Sequence, residues 1–472
     1  MKYNRQIRWI CLLMMCAMLT GFFQSAAADI KAERLLKRMG NLTPIPNTNL
    51  LIAQESKKNK WGLYDTDANV IIPLEHENIG YVAYRFLSVS SIPEEKIDPK
   101  ARITLDKINC HALMTFDGSV LTDYTYGLFK AYSPHWAAGW VLKNGAADDY
   151  DYTPDKSHYM RIARVDIFYC EDDAVCLAAS LSREQFKNAA AHGEYLSVQD
   201  REDKITVFDK NAETVDIGAK NLKSSVYGIK NWMIVNLATG EMAMDGCSAV
   251  SEIQTEEELL LLATRIDFQG RKQNCLITTK GETVIPMSNA AISSVSRDYA
   301  ILTSNEDGKK GLYSIAENRM ILPCEYDDIF ENKNSIDRFN CHGYICVMKD
   351  GQYGCYEVET QTLLPGAALE LEAGTKLERY GATSFVTTKA SKTTTTKLIA
   401  PDGRIKSLYC SLSKSRGSGY LMIAKFGGGN TVVNWYGNNY LLQYYSNIIL
   451  TDDDRFILKT KNSGYELYRI PE

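Results

Sequence analysis

Histidine is scarce in this chain, six residues in 472, and the six are scattered: His76, His111, His135, His158, His192 and His342. No two stand at the i, i+4 spacing of a helical zinc site, and no Cys-x-x-Cys occurs. A phosphate-cradling loop is missing too. "FGGGN" at 426–430 precedes no helical segment and lacks the lysine such loops carry. There is no Gly-x-Ser-x-Gly elbow for a nucleophilic serine. The expectation is therefore no catalytic, cofactor-binding or metal residue and no cofactor.

Positive charge is also in short supply. Fifty-three basic residues face 58 acidic ones, and no basic tract occurs. A mildly acidic chain of this kind suits neither nucleic acid nor an anionic lipid surface. Beyond Phe23 no apolar run approaches twenty residues, so no membrane span is expected in the mature chain.

The one long apolar run is N-terminal. Lys2, Arg5 and Arg8 lead into the apolar stretch Trp9 to Phe23, and Ala26-Ala27-Ala28 precedes Asp29. That is the layout of a secretory signal peptide over 1–28, cleaved near Ala28. The alternatives are an uncleaved anchor or a lipid on Cys16. The expected location is secreted or periplasmic. Ten cysteines then remain in the mature chain. Cys170–Cys176 and Cys341–Cys346 are local disulfide candidates, and many of the ten can instead be small core residues.

What the chain has is repetition. "KWGLYDTDANVIIP" from Lys60 is echoed by "KGLYSIAENRMILP" from Lys310. Trp61, Gly62, Leu63, Tyr64 and Pro73 open and close the first; Gly311, Leu312, Tyr313 and Pro323 do the same in the second. Weaker copies are "NCLITTKGETVIP" and "YGCYEVETQTLLP", and three others keep only strand-turn-strand. Each reads as a strand, a polar turn, and a second strand stopped by proline, which has no amide hydrogen for the ladder. Turns fall near Asn69, Gly118, Gly240, Gly281, Asn318, Gln361, Gly403 and Asn438. From Gly240 onward they recur roughly every forty residues, the size of a propeller blade. The predicted fold is all-β: a tandem antiparallel β-repeat, as a β-propeller of seven to nine blades or an open β-repeat array.

These residues resemble the WG-repeat (KWG-repeat) family of bacterial exported proteins. "KWGLYDTDANVIIPLEHENI" fits its pattern of Trp-Gly, two hydrophobics, turn, aliphatic strand, proline and acidic segment. The resemblance implies a binding or scaffolding module without shared catalytic residues. Tryptophan stands at only one of the three aligned positions. The domain plan is a helix and lead-in over 29–48, then the repeat domain over 49–472, with an irregular, helix-containing insertion near 143–230. The helices expected are "DIKAERLLKRMG" at 29–40 and "SREQFKNAAAHG" from Ser182 to Gly193, the latter on a Ser182/Gln185 capping box.

Two features could contact a ligand. "DDYDYTPD" includes Asp149 and Asp151, a loop able to take a hard cation or stay merely solvated. Trp136 and Trp140 are near it in sequence and could stack on sugar rings if exposed, or pack in a β core. The functional expectation is a non-catalytic extracytoplasmic protein recognising a protein or a cell-envelope glycan. The alternative is a glycan-active hydrolase or lyase whose carboxylates converge from separate blades.

Overall fold

The computed structural model describes residues 38–469 apart from 92–108, 144–160, 331–343, 368–377, 414–421, 440–443, 451–454, 460–464 and scattered gaps of one or two residues. Among the described residues there is no helix, and every named element is a strand. Strands join only their chain neighbours, antiparallel, into eleven sheets of three or four strands. In chain order these are sheet 1 (39–76), sheet 2 (78–115), sheet 3 (128–181), sheet 4 (188–215), sheet 5 (227–244) and sheet 6 (249–288). Then come sheet 7 (291–326), sheet 8 (328–363), sheet 9 (378–408), sheet 10 (411–433) and sheet 11 (447–469). The all-β tandem antiparallel repeat is thus what the chain forms.

Spacing between glycine turns predicted seven to nine units, and the described residues hold eleven sheets. The extra sheets have turns that carry little glycine. In sheet 4 the turns at 200–204 and 209–213 are closed by Asp200 and Asp209, whose carboxylates accept from backbone amides two and four residues on. Asp203 and Ala212 there adopt the left-handed φ that glycine usually supplies. The described part of the region 143–230 likewise holds strands: the later two of sheet 3, all of sheet 4 and the first of sheet 5.

Of the two expected helices, 29–40 lies mostly outside the described residues, and 182–193 needs correcting. Residues 29–37 lie outside the described part, but Met39–Pro44 is a strand paired with Leu51–Glu55. The capping box is real: the Ser182 amide donates to Gln185 Oε1 (2.9 Å) and the Gln185 amide to Ser182 Oγ (3.3 Å). It closes a single turn, after which Asn188–His192 pairs in register with Tyr195–Gln199. Pairing and burial against neighbouring strands outweigh alanine's local helix preference.

Two compact units result, one of sheets 1, 10 and 11 and the other of sheets 2 to 9. Within the larger unit sheet 7 buries both faces. In sheet 7, Ile301 and Leu312 face the core shared with Ile345 and Val347 of sheet 8. Their chain neighbours Leu302 and Tyr313 face Leu260 and Leu276 of sheet 6. Alternate residues of one strand therefore serve opposite neighbours, which is why these strands read as continuous apolar runs. In the smaller unit the first and last sheets share a core: Met39, Leu42, Leu51, Ala53 and Tyr64 pack with Ile449 and Tyr465.

The repeat signature has one geometry in sheets 1 and 7. Leu63 pairs with Ile72 and Leu312 with Leu322, all but fully buried; Tyr64 and Tyr313 follow, 5% and 6% exposed. The fourth strand bulges twice beside each. The fourth strand advances four positions, from Ile72 to His76 or from Leu322 to Tyr326, against two on the third strand. The bulge carries the carbonyl before the proline over the glycine. A Cβ on Gly62 would lie 2.6 Å from the Ile72 oxygen, and one on Gly311 2.7 Å from the Leu322 oxygen. Sheet 6 has the smaller bulge, Ile285 to Ser288 against Leu276 and Asn274, and there Cys275 stands where the other two have glycine. Pro73 and Pro323 are exposed on the outermost strand, where a missing amide hydrogen costs nothing.

Candidate functional site

Turns from four successive sheets of the larger unit meet around a cavity of about 370 Å³. Sheet 3 contributes Ser133, Pro134 and His135; sheet 4 contributes His192, Gly193, Glu194 and Tyr195. Tyr227, Asn236, Thr239 and Glu241 come from sheet 5, and Gln254, Glu258, Leu259, Thr279 and Lys280 from sheet 6.

Each of these turns is fixed by local chemistry. The Ser133 hydroxyl accepts from the amides of His135 (3.2 Å) and Trp136 (3.0 Å), and the His135 ring stacks on Tyr169 at 5.7 Å. Gly193, with φ 61°, makes the two-residue turn between His192 and Tyr195, and a Cβ there would press on Leu259 at 3.3 Å. Asn236 is buried; its Oδ1 accepts from the Ala238 amide and its Nδ2 donates to the Tyr195 hydroxyl (3.2 Å). Gly281 is indispensable, since its Cβ would fall 2.0 Å from the Ala243 carbonyl.

Beneath the rim is a buried polar knot. His192 faces Glu252 Oε2 through Nδ1 (3.0 Å) and the Leu222 carbonyl through Nε2 (3.2 Å). The other Glu252 oxygen accepts from the Ser225 hydroxyl (2.6 Å) and the amides of Val226 (2.6 Å) and Tyr227 (3.1 Å). Burial works against the Glu252 charge, yet these donors together hold its carboxyl below the ordinary value. One carboxylate thus ties sheets 4, 5 and 6 together at the cavity. Burial pushes the Tyr227 phenol up, so it enters the site as a hydrogen-bonding hydroxyl. The lining is one that can hold a polar ligand: three carboxylates, a lysine, two phenols and two amides.

The residues singled out from sequence lie elsewhere. Trp136 and Trp140 are 0% and 2% exposed and belong to the core between sheets 3 and 4. Trp136 meets Tyr169 edge-on at 4.9 Å and Trp140 meets Phe186 at 5.6 Å. Neither can stack on a ligand, because Trp136–Lys143 is an inner strand, covered on both faces. Asp149 and Asp151 lie outside the described residues. The cavity itself left no linear motif. Its only sequence signals are polar residues flanking hairpin turns, such as Gly193-Glu194 and Lys280-Gly281.

The disulfide expectations fare differently. Register sets Cys170 opposite Val175 and Cys176 opposite Tyr169. An offset of one residue turns the two cysteines to opposite faces, so they cannot bridge. Cys170 is buried, which pushes its thiol up to about 12, while Cys176 is exposed. Cys341 lies outside the described residues. Its expected partner Cys346 stands directly across from Cys355.

No curated protein matches the chain. Among solved structures it is similar to a eukaryotic initiation factor at 8% identity, covering 89% of this chain and 98% of that one, TM-score 0.31. It is similar to BamB from Moraxella catarrhalis at 10% identity, covering 70% and 100%, TM-score 0.23. Hsv2p from Kluyveromyces lactis is similar at 9% identity, covering 73% and 97%, TM-score 0.25. The profile of the family described as "WG containing repeat" matches residues 316–353. That segment runs from the bulged last strand of sheet 7 into the central hairpin of sheet 8. Over that segment the chain is similar to the WG-repeat family.

Proposed function

We propose that the chain is an exported, non-catalytic binding or scaffolding protein, which recognises a protein or a cell-envelope glycan through the cavity shared by sheets 3 to 6. The observation that carries this reading is the cavity's construction. Four turns are held by a buried hydrogen-bonded framework, and their side chains are left to line a space of ligand size. Export is supported by the basic, apolar, small-residue order of the first 28 residues.

A binding screen against envelope polysaccharides and envelope proteins tests the reading, with Glu194→Gln, Glu241→Gln, Glu258→Gln and Lys280→Gln as probes. Each substitution is expected to weaken capture of one class, and none to abolish folding. If the screen instead finds glycan turnover that a single carboxylate variant stops while capture persists, the glycan-active enzyme replaces the scaffold. Unaltered binding in all four variants would move the site away from this cavity.

A further inference from the structure

We infer that Cys346 and Cys355 are a thiol–disulfide site, and that Cys355, not Cys341, is the partner of Cys346. The two lie opposite each other on the central strands of sheet 8, Tyr344–Lys349 and Gln352–Glu357, joined by the Asp350-Gly351 turn with both φ angles positive (51° and 74°). Their sulfurs are 3.4 Å apart. Backbone direction settles the kind of pair they form. The Cys346 carbonyl accepts from the Phe330 amide (3.0 Å) and the Cys355 carbonyl from the Leu364 amide (2.7 Å), so each turns its carbonyl away from the other. This is the non-hydrogen-bonded position of an antiparallel ladder, where Cα atoms approach to about 4.5 Å and side chains are closest. That separation is inside the window of about 4.4–6.8 Å that a disulfide spans.

Neighbouring pairs keep the sulfurs together. Tyr356 opposite Ile345 and Gly354 opposite Val347 hold the register on either side, and Ile345, Val347 and Tyr356 are anchored in the core shared with sheet 7. Cys346 and Cys355 point to the opposite face, where they are 5% and 2% exposed. The chemistry needs an external disulfide, for which oxidised glutathione is the probe. One protein thiolate attacks it, forming a mixed disulfide and releasing one glutathione thiol. The second protein thiolate attacks the protein sulfur of that intermediate and expels the other glutathione. The protein loses two protons and two electrons, and the oxidant becomes two thiols. The inference rests on the register and the sulfur separation and stands apart from the ligand reading of the cavity.

The test is to equilibrate the full chain with excess oxidised glutathione, alkylate under denaturing conditions, and map peptides by mass. The wild type is expected to lose the Cys346 and Cys355 thiols to alkylation and to yield one peptide pair, two hydrogens lighter, joining 344–349 to 352–357. C341S keeps this link; C346S and C355S each lose it and leave the remaining cysteine as a thiol or as its unresolved mixed disulfide with glutathione. Spectra of the folded serine variants matching wild type show that the loss is chemical. Full alkylation of both residues in oxidised wild type, or a link that includes Cys341, overturns the assignment.

Discussion

Gly62 and Gly311 illustrate how far a residue's role extends beyond its own strand. Each leaves room for the carbonyl that precedes a proline some ten residues later, so the glycine and the proline of the motif are two halves of one contact. Gly62→Ala or Gly311→Ala is expected to lower stability by about 1–3 kcal/mol through forced backbone displacement. Cys275→Ala, at the equivalent place in sheet 6, changes no backbone spacing. Urea midpoints of the three variants check this, and equal midpoints would count against the bulge. The glycine and proline were legible in the sequence as packing residues; their mutual contact was not, because it depends on two extra bulge residues that leave no signature. Trp136 teaches the reverse. Its neighbours in sequence left a ligand patch and a β core both open, while its burial is set by strands farther along the chain. Its indole Nε1 has no hydrogen-bond partner among the described residues. Trp136→Phe therefore forfeits no bond, whereas Trp136→Ala empties the core and should cost about 3–5 kcal/mol. Thermal denaturation should rank Phe close to wild type and Ala far below it.

Individual elements were readable where turn chemistry was strong. Gly118, Gly240, Gly281, Asn318, Gln361 and Gly403, each expected in a turn, all have left-handed φ. Ser182 to Gly193 was misread because its cap and its alanines are helical signals locally, and only pairing with Tyr195–Gln199 reveals the strand. The same strand delivers His192 to Glu252, a contact between residues sixty apart that no periodicity announces. Since the Glu252 carboxyl is held below its ordinary 4.5, its contribution is fully present above that value and is lost as pH falls through the folded one. Glu252→Gln should cost about 1.5–3 kcal/mol at neutral pH, the worth of a hydrogen bond to a charged group, and little in strong acid. Denaturant titrations of both proteins from neutral to acid pH should converge; parallel curves would deny the carboxylate this role.

At the scale of the molecule, the repeat itself was plain from two copies 250 residues apart, while the number of sheets was hidden by turns closed with aspartate. The cavity was hidden more completely, being assembled from four sheets that each contribute a few polar residues. The joining of first and last sheets is open to a direct test. Tyr465, 2% exposed, fills the space beside Leu51 and Tyr64. Tyr465→Ala is expected to cost the smaller unit about 3–5 kcal/mol. It should speed amide exchange in both 50–65 and 447–459 while sparing sheet 8. Faster exchange confined to 447–469 would show that the two ends do not support each other.

That shared core also has a consequence in time. As the chain leaves the ribosome, sheet 1 emerges early, with Met39, Leu42 and Leu51 needing a cover that is not yet made. The covering residues, Ile449 and Tyr465, are translated after every sheet of the larger unit. Until then the opening sheet has a bare apolar face, which is exposed to wrong neighbours unless a chaperone covers it.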